Sequence, residues 1–191
     1  MTEYDVAIVG LGALGSAAAY HAAKKGAKVV AFEQFELGHV RGSSHDTSRI
    51  VRTSYDQPGY VALARASYRD WADLEKAAGQ KLLHITGGLI FVKRNGPTNV
   101  NDDTRSLTAN DVPFEVLDGK EVAKRWPQFP ERDEVDVVFT PDTGMAHAAK
   151  SVSAMQHLAR GLGAVLRENT RVDAVQPQTD GKGVVIRTSN G

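Results

Sequence analysis

The sequence contains no cysteine. That absence excludes a disulfide framework, a thiolate metal site, a cysteine nucleophile and any cofactor bonded through sulfur within these residues. It fits a reducing compartment. No apolar run approaches the roughly 20 residues that a membrane-spanning helix needs. The N-terminus lacks the charged, apolar and small-residue regions of a secretion signal. Net charge is also missing, because 23 Lys and Arg balance 23 Asp and Glu. No global field therefore steers the chain toward nucleic acid or an anionic membrane. Arg41, Arg49 and Arg52 form a local basic cluster, but without the aromatic interleaving of a nucleic-acid face. His84, His147 and His157 show no metal-ligand spacing with acids, so no metal is expected and these side chains are expected to be structural or exposed. Repeats and low-complexity segments are absent.

What remains is ordinary for a globular protein. A chain of 191 residues, 41% of them hydrophobic, supplies a core for one domain or one and a fraction. "YDVAIVG", from Tyr4 to Gly10, has the apolar, β-branched pattern of a buried parallel strand. "ALGSAAAYHAAKKG" predicts an alanine-rich helix closing at Gly26, and "AKVVAFE" a second strand ending at Glu33. Strand, helix and strand within about thirty residues make one βαβ unit. "LGHVRGSSHDTSRIVR" has no clean period and reads mostly as an ordered loop. Tyr60, Leu63, Ser67, Trp71, Leu74 and Ala78 stand at helical spacing and predict an amphipathic helix.

Further along, "LLHITGGLIFVKR" reads as strand, turn and strand. Asp118 is placed to cap a short helix, with Glu121 three residues on and Pro127 as its stop. "VDVVFTPDTG" reads as a strand and a turn. "HAAKSVSAMQHLARGLG" predicts a helix with Val152, Met155, Ala159 and Leu162 on one face. "AVLREN", "RVDAVQP" and "VVIRTSN" predict three closing strands, with Asp180-Gly181 turning between the last two. The final Asn190-Gly191 is itself a hairpin-turn signal, which expects a further strand to return along Val184 to Thr188.

"GLGALG" places Gly10, Gly12 and Gly15 in the G-x-G-x-x-G pattern. The pattern alone is weak, but here it follows a strand, opens a helix and precedes an acid, Glu33, 23 residues after Gly10. Gly10 permits the tight turn, Gly12 lets the backbone approach a pyrophosphate, and Gly15 lets helix and strand pack closely. The helix N-terminus offers unpaired N–H groups and partial positive charge. Glu33 can accept from ribose hydroxyls while repelling a 2′-phosphate, which disfavours NADP. The turn does not separate NAD from FAD. An NAD domain would continue with another βαβ repeat, whereas this chain departs into a loop, a long helix and antiparallel strands before returning. That order resembles the glutathione-reductase-like class of FAD domains.

With "GSSHDTSRIVRTSY" in view the resemblance becomes specific. The chain resembles the N-terminal half of the family of monomeric sarcosine oxidase, N-methyltryptophan oxidase and peroxisomal pipecolate/sarcosine oxidase, within the D-amino-acid-oxidase-like flavoproteins. The resemblance covers essentially the whole chain. It rests on the glycine turn, on Gly42 to Tyr55, on "TGGLIF" (Thr86 to Phe91), "KRWP" (Lys124 to Pro127), "PDTG" (Pro141 to Gly144) and "TRV" (Thr170 to Val172). It implies an α/β fold: a Rossmann FAD-binding domain over 1–85 and 147–191, with 86–146 as part of an inserted antiparallel α+β substrate domain. It also implies roles. Gly10, Gly12, Ala13, Leu14 and Gly15 would cradle the FAD pyrophosphate, and Glu33 with Gln34 would hold the ribose. Ser43 and Ser44 would meet the phosphates or ribityl chain. Arg49 and His45 would lie near the isoalloxazine ring, Ile50 along it, and Val172 beside adenine. Arg52 would bind the substrate carboxylate. From the residues alone, Arg49 and Arg52 read more readily as surface ion-pair arginines, and His45 as a loop hydrogen-bonder; the resemblance reverses that order.

The implied reaction is oxidation of a secondary amino acid, N-methylated or cyclic, with O₂ as acceptor, imine hydrolysis and release of hydrogen peroxide. The implied protein is a cytoplasmic monomer, or a peroxisomal one if a signal lies beyond Gly191. The family's flavin-attaching cysteine, its oxygen-activating lysine and a second carboxylate-binding base fall in the C-terminal half. The chain alone is therefore expected to bind FAD weakly or not at all and to be inactive. Two alternatives stand beside this: a flavin dehydrogenase using another acceptor, and a non-catalytic nucleotide-binding remnant.

Overall fold

The computed structural model describes residues 3–179 and 181–190. Its elements begin with β1 (Val6–Val9), α1 (Ala13–Lys24), β2 (Val29–Phe32), β3 (Arg49–Val51), α2 (Pro58–Ala78), β4 (Leu83–Ile85), β5 (Gly88–Lys93) and α3 (Val100–Thr108). They continue with β6 (Glu115–Asp118), α4 (Gly119–Arg125), β7 (Val135–Thr140), β8 (Gly144–Ala146), α5 (Ala148–Gly161), β9 (Val165–Arg167), β10 (Val172–Pro177) and β11 (Val184–Thr188). The chain divides into two units, Met1–Ser48 with His147–Gly191, and Arg49–Ala146.

The first unit is built on a parallel sheet. β2, of sequence VVAF, is buried at all four positions and lies between β1 and β9, with Val6 opposite Val29 and Val30 opposite Val165. An apolar run rich in β-branched residues suits the middle of such a sheet. α1 ends at Lys25, and Gly26 follows with φ +86°, the left-handed stop that glycine accepts. α1 packs against α5, whose Met155 and Ala159 are buried while Leu162 is half exposed. β10 and β11 form an antiparallel hairpin, as expected from the sequence, with a register shift between Val172 and Ala174. The expected turns at Asp180-Gly181 and Asn190-Gly191 each include a residue, Asp180 and Gly191, outside those described.

The second unit holds two antiparallel sheets, of strand order β3-β8-β4 and β5-β7-β6. Successive side chains of β7 serve opposite faces. Val138 joins Val61, Leu107 and Val112 on one side, and Val137 joins Leu117 and Val122 on the other. The Asp118 carboxylate accepts from the Glu121 N–H at 2.8 Å and caps α4, as its spacing predicts. β4 and β5 are both strands, but they belong to different sheets. Residues 49–85, placed by the sequence with the nucleotide-binding segments, are packed here with residues 86–146: β3 and β4 both pair with β8, and α2 lies against α3.

One expected face needs correction. α2 is amphipathic, but Tyr60 and Leu63 are 62% and 68% exposed, while Val61 is fully buried. The stripe turned inward starts one residue later than the spacing suggested. It runs from Val61 through Tyr68, whose hydroxyl donates to the Asp142 carbonyl at 2.7 Å, beside the expected and half-buried Ser67 and Trp71, to the expected Leu74.

Candidate nucleotide-binding site

β1 delivers the chain to Gly10, which turns at φ +90° and donates its N–H to the Phe32 carbonyl at 2.8 Å. Gly12 is the N-cap of α1 and has no side chain to close the helix. Closure comes from Ser44, 31 residues away, whose Oγ accepts from the Ala13 N–H at 2.9 Å. A Cβ on Gly12 would stand 3.0 Å from that Oγ. At Gly15 a Cβ would fall 1.8 Å from the Gly10 carbonyl oxygen and 3.3 Å from Ile8. Only glycine lets strand and helix approach this closely. No acid sits in the first turn of α1 to neutralise its N-terminal field.

Glu33 ends β2 and is 7% exposed. Its carboxylate accepts from the Leu11 N–H at 3.0 Å and the Phe35 N–H at 3.2 Å, and lies 3.3 Å from His39 Nε2. Burial pushes its pKa up, but the backbone donors and His39 together outweigh burial and hold the carboxyl below the usual glutamate range. The acid is thus ionised and oriented by the fold. His39 Nδ1 in turn accepts from the Arg41 N–H at 3.0 Å, so the ring's proton sits on Nε2, facing Glu33. The Arg41 guanidinium lies 4.4 Å from the centre of the Phe35 ring.

These groups surround a cavity of about 630 Å³ within the first unit. Of the residues expected from the sequence, Gly10, Gly12, Glu33, Gln34, Ser44, His45 and Val172 line it. Ala13, Leu14 and Gly15 begin α1 beside the turn without lining the cavity, and Leu14 is 89% exposed. Ser43 is exposed and does not line it. Arg49, Ile50 and Arg52 belong to the second unit. There Arg49 and Ile50 lie on β3, Ile50 is 76% exposed, and the Arg52 guanidinium stands 4.9 Å from the Tyr55 ring centre.

The sequence did not place His39, Arg41 or the polar face of α5 in the site; Gln156, His157 and Arg160 on that face also line the cavity. His157, expected to be structural or exposed, is exposed and faces it. The i, i+1, i+4 spacing of Gln156, His157 and Arg160 was the available signal. Cations at Arg41, Arg160 and Arg171 thus surround a single lining acid, Glu33. A backbone-only turn at a helix N-terminus, a preformed acid and a cationic rim fit an adenosine diphosphate moiety.

Comparison with known proteins agrees. Residues 5–191 match the family described as FAD dependent oxidoreductase. The chain is 38% identical over 180 residues to monomeric sarcosine oxidase of Streptomyces avermitilis, covering 93% of this chain and 46% of that protein. It is 32% identical over 192 residues to peroxisomal sarcosine oxidase of Homo sapiens, covering 98% and 47%. The chain spans about half the length of the curated relatives it matches. Among solved structures, NikD, an unusual amino acid oxidase essential for nikkomycin biosynthesis, superposes with a TM-score of 0.83 at 26% identity, over 100% of this chain and 49% of that one. Glycine oxidase from Geobacillus kaustophilus superposes with a TM-score of 0.77 at 25% identity, over 98% and 52%. The chain belongs to this family of FAD-dependent oxidoreductases, and its cofactor is FAD.

Proposed function

We propose that the chain is the N-terminal half of an oxidase of secondary amino acids, N-methylated or cyclic, with sarcosine as the first substrate to test. The observation that carries it is a nucleotide cradle built only for backbone and phosphate, in a chain similar to proteins named sarcosine oxidases. Bound FAD would supply the acceptor for a hydride equivalent from the carbon next to nitrogen, with O₂ as final oxidant: an N-methyl amino acid, O₂ and water would give formaldehyde, the demethylated amino acid and hydrogen peroxide, and a cyclic amino acid and O₂ would give the cyclic imine and hydrogen peroxide.

The chain's own residues bind and orient. Gly10, Gly12, Ala13, Leu14 and Gly15 hold the pyrophosphate at the start of α1. Glu33 and Gln34 hold the ribose, Ser43 and Ser44 the phosphates or ribityl chain, and the Val172 backbone the adenine. His45, Arg49 and Ile50 serve the flavin ring, where a cation favours negative charge. Arg52 clamps the substrate carboxylate. In support, no carboxylate lies within ion-pair distance of Arg52 among the described residues, although Asp103 feels its charge; the guanidinium rests on Tyr55. An arginine so placed retains its fork of donors for a carboxylate ligand.

No described helix is long and apolar enough to cross a membrane. The proposed full-length protein is a monomer, in the cytoplasm or, as the human relative's name suggests, in the peroxisome. The test is an oxygen-electrode assay of the full-length protein with FAD. Sarcosine, other N-methyl amino acids and cyclic secondary amino acids should give peroxide and consume O₂. Turnover only with an artificial electron acceptor, or only with primary amino acids, would overturn the proposal. The 191-residue chain assayed alone should give no peroxide.

A further inference from the structure

Leu11 is held through both of its backbone polar groups, and the carbonyl it contributes to the Leu11–Gly12 peptide is held by two donors. The Leu11 N–H donates to Glu33 at 3.0 Å. The Leu11 carbonyl accepts from Gln156 Nε2 at 2.9 Å and from Ser16 Oγ at 2.8 Å. Gln156 Nε2 also donates to that same Ser16 Oγ, at 3.2 Å. Chemistry fixes the orientation of the amide: a carbonyl oxygen only accepts, so the NH₂ end of Gln156 must face it. All four residues are buried, with Leu11 at 3%, Ser16 at 0%, Glu33 at 7% and Gln156 at 7% exposure. Gln156 comes from α5, 145 residues along the chain from Leu11.

The planar trans peptide turns this clamp into a pointing device. Carbonyl and N–H of one peptide unit point in opposite directions, and no described peptide is cis. With the Leu11 carbonyl drawn toward Gln156 and Ser16, the Gly12 N–H is turned away from them. Gly12 lines the cavity, and among the described residues nothing accepts its N–H. We propose that Gln156, through the Leu11 carbonyl, is a positioning residue that aims the Gly12 N–H at the cofactor pyrophosphate. Gln156 touches no phosphate in this account. It removes the alternative in which the peptide flips, points the carbonyl at the diphosphate and repels it. The inference rests on the pyrophosphate placement proposed above and assigns the glycine turn a support from outside its own βαβ unit.

The experiment titrates the isotopically labelled 191-residue chain with ADP and, separately, with adenosine, reading amide resonances. In the wild-type chain, ADP should shift the Gly12 amide resonance. In Gln156→Leu, ADP affinity should fall about tenfold, the worth of one lost hydrogen bond to a charged group. Adenosine affinity should hold, and the Gly12 shift should vanish. Ser16→Ala, which removes the second donor to the same carbonyl, should give a smaller loss with the same ADP-over-adenosine selectivity, so the idea stays testable if Gln156→Leu folds poorly. Unchanged ADP affinity in both variants would overturn the proposal. Equal weakening of ADP and adenosine would overturn it too, since that marks a merely structural glutamine. Failure of the wild-type chain to bind ADP would instead remove the diphosphate-reading role of this cavity, and this inference with it.

Discussion

Glu33 is a carboxylate ionised by the fold before any ligand arrives, and this has a measurable consequence. Its folded pKa lies below the ordinary glutamate value, so ionisation stabilises the folded state fully above about pH 4.3, the unfolded reference. That stabilisation is lost as pH falls through the lowered folded pKa. Urea denaturation between about pH 6 and pH 3 should show a steeper acid limb for the wild type than for Glu33→Gln. Identical limbs would contradict the assignment. Gly15→Ala tests steric need at the same turn. A methyl 1.8 Å from the Gly10 carbonyl forces strand and helix apart. It should cost about 3 kcal/mol or more in a denaturant titration. The glycines and Glu33 were legible because each answers a local demand, a turn, a close approach or a strand end, within one βαβ unit. Gln156 was not legible. Its partner lies 145 residues away, and its spacing with His157 and Arg160 marks a polar helix face but not the carbonyl that Gln156 holds.

At the scale of elements, period and punctuation exposed the strong cases and missed the weak ones. β1, α1, β2 and α5 announce themselves by apolar runs and helical spacing. α3 has only Leu107 and Ser106 buried in a polar stretch, and its clearest mark is Asn99, whose side chain caps it by accepting from the Asn101 N–H at 2.9 Å. β3 and β8 are three-residue strands, too short for alternation to show, and exist because each pairs with the other. β6 likewise has only Leu117 buried and is held by β7. α2 shows the limit of spacing arguments: the period was visible, but which residue starts the inward stripe is set by the core it meets. Val61 packs with Leu107, Val112 and Val138. Val61→Ala should therefore cost about 2 kcal/mol, and Leu63→Ala less than about 0.5 kcal/mol, by chemical denaturation. The reverse order would restore the stripe read from the sequence.

At the scale of the whole molecule, two units divide the proposed labour. The first carries the cofactor cradle, and the second carries Arg52. If Arg52 clamps the substrate carboxylate, Arg52→Ala in the full-length oxidase should raise KM for sarcosine by about 10- to 100-fold, the worth of a charge-assisted pair. FAD affinity, read by flavin fluorescence, should stay the same. Loss of FAD binding in that variant would move Arg52 from substrate to cofactor. The central claim concerns the first unit: its cavity reads the adenosine diphosphate end of FAD. The most direct measurement titrates the 191-residue chain with FAD, following flavin fluorescence, in rising concentrations of ADP or of riboflavin. The expected result is weak FAD binding that ADP displaces and riboflavin does not. Displacement by riboflavin but not by ADP would contradict that assignment.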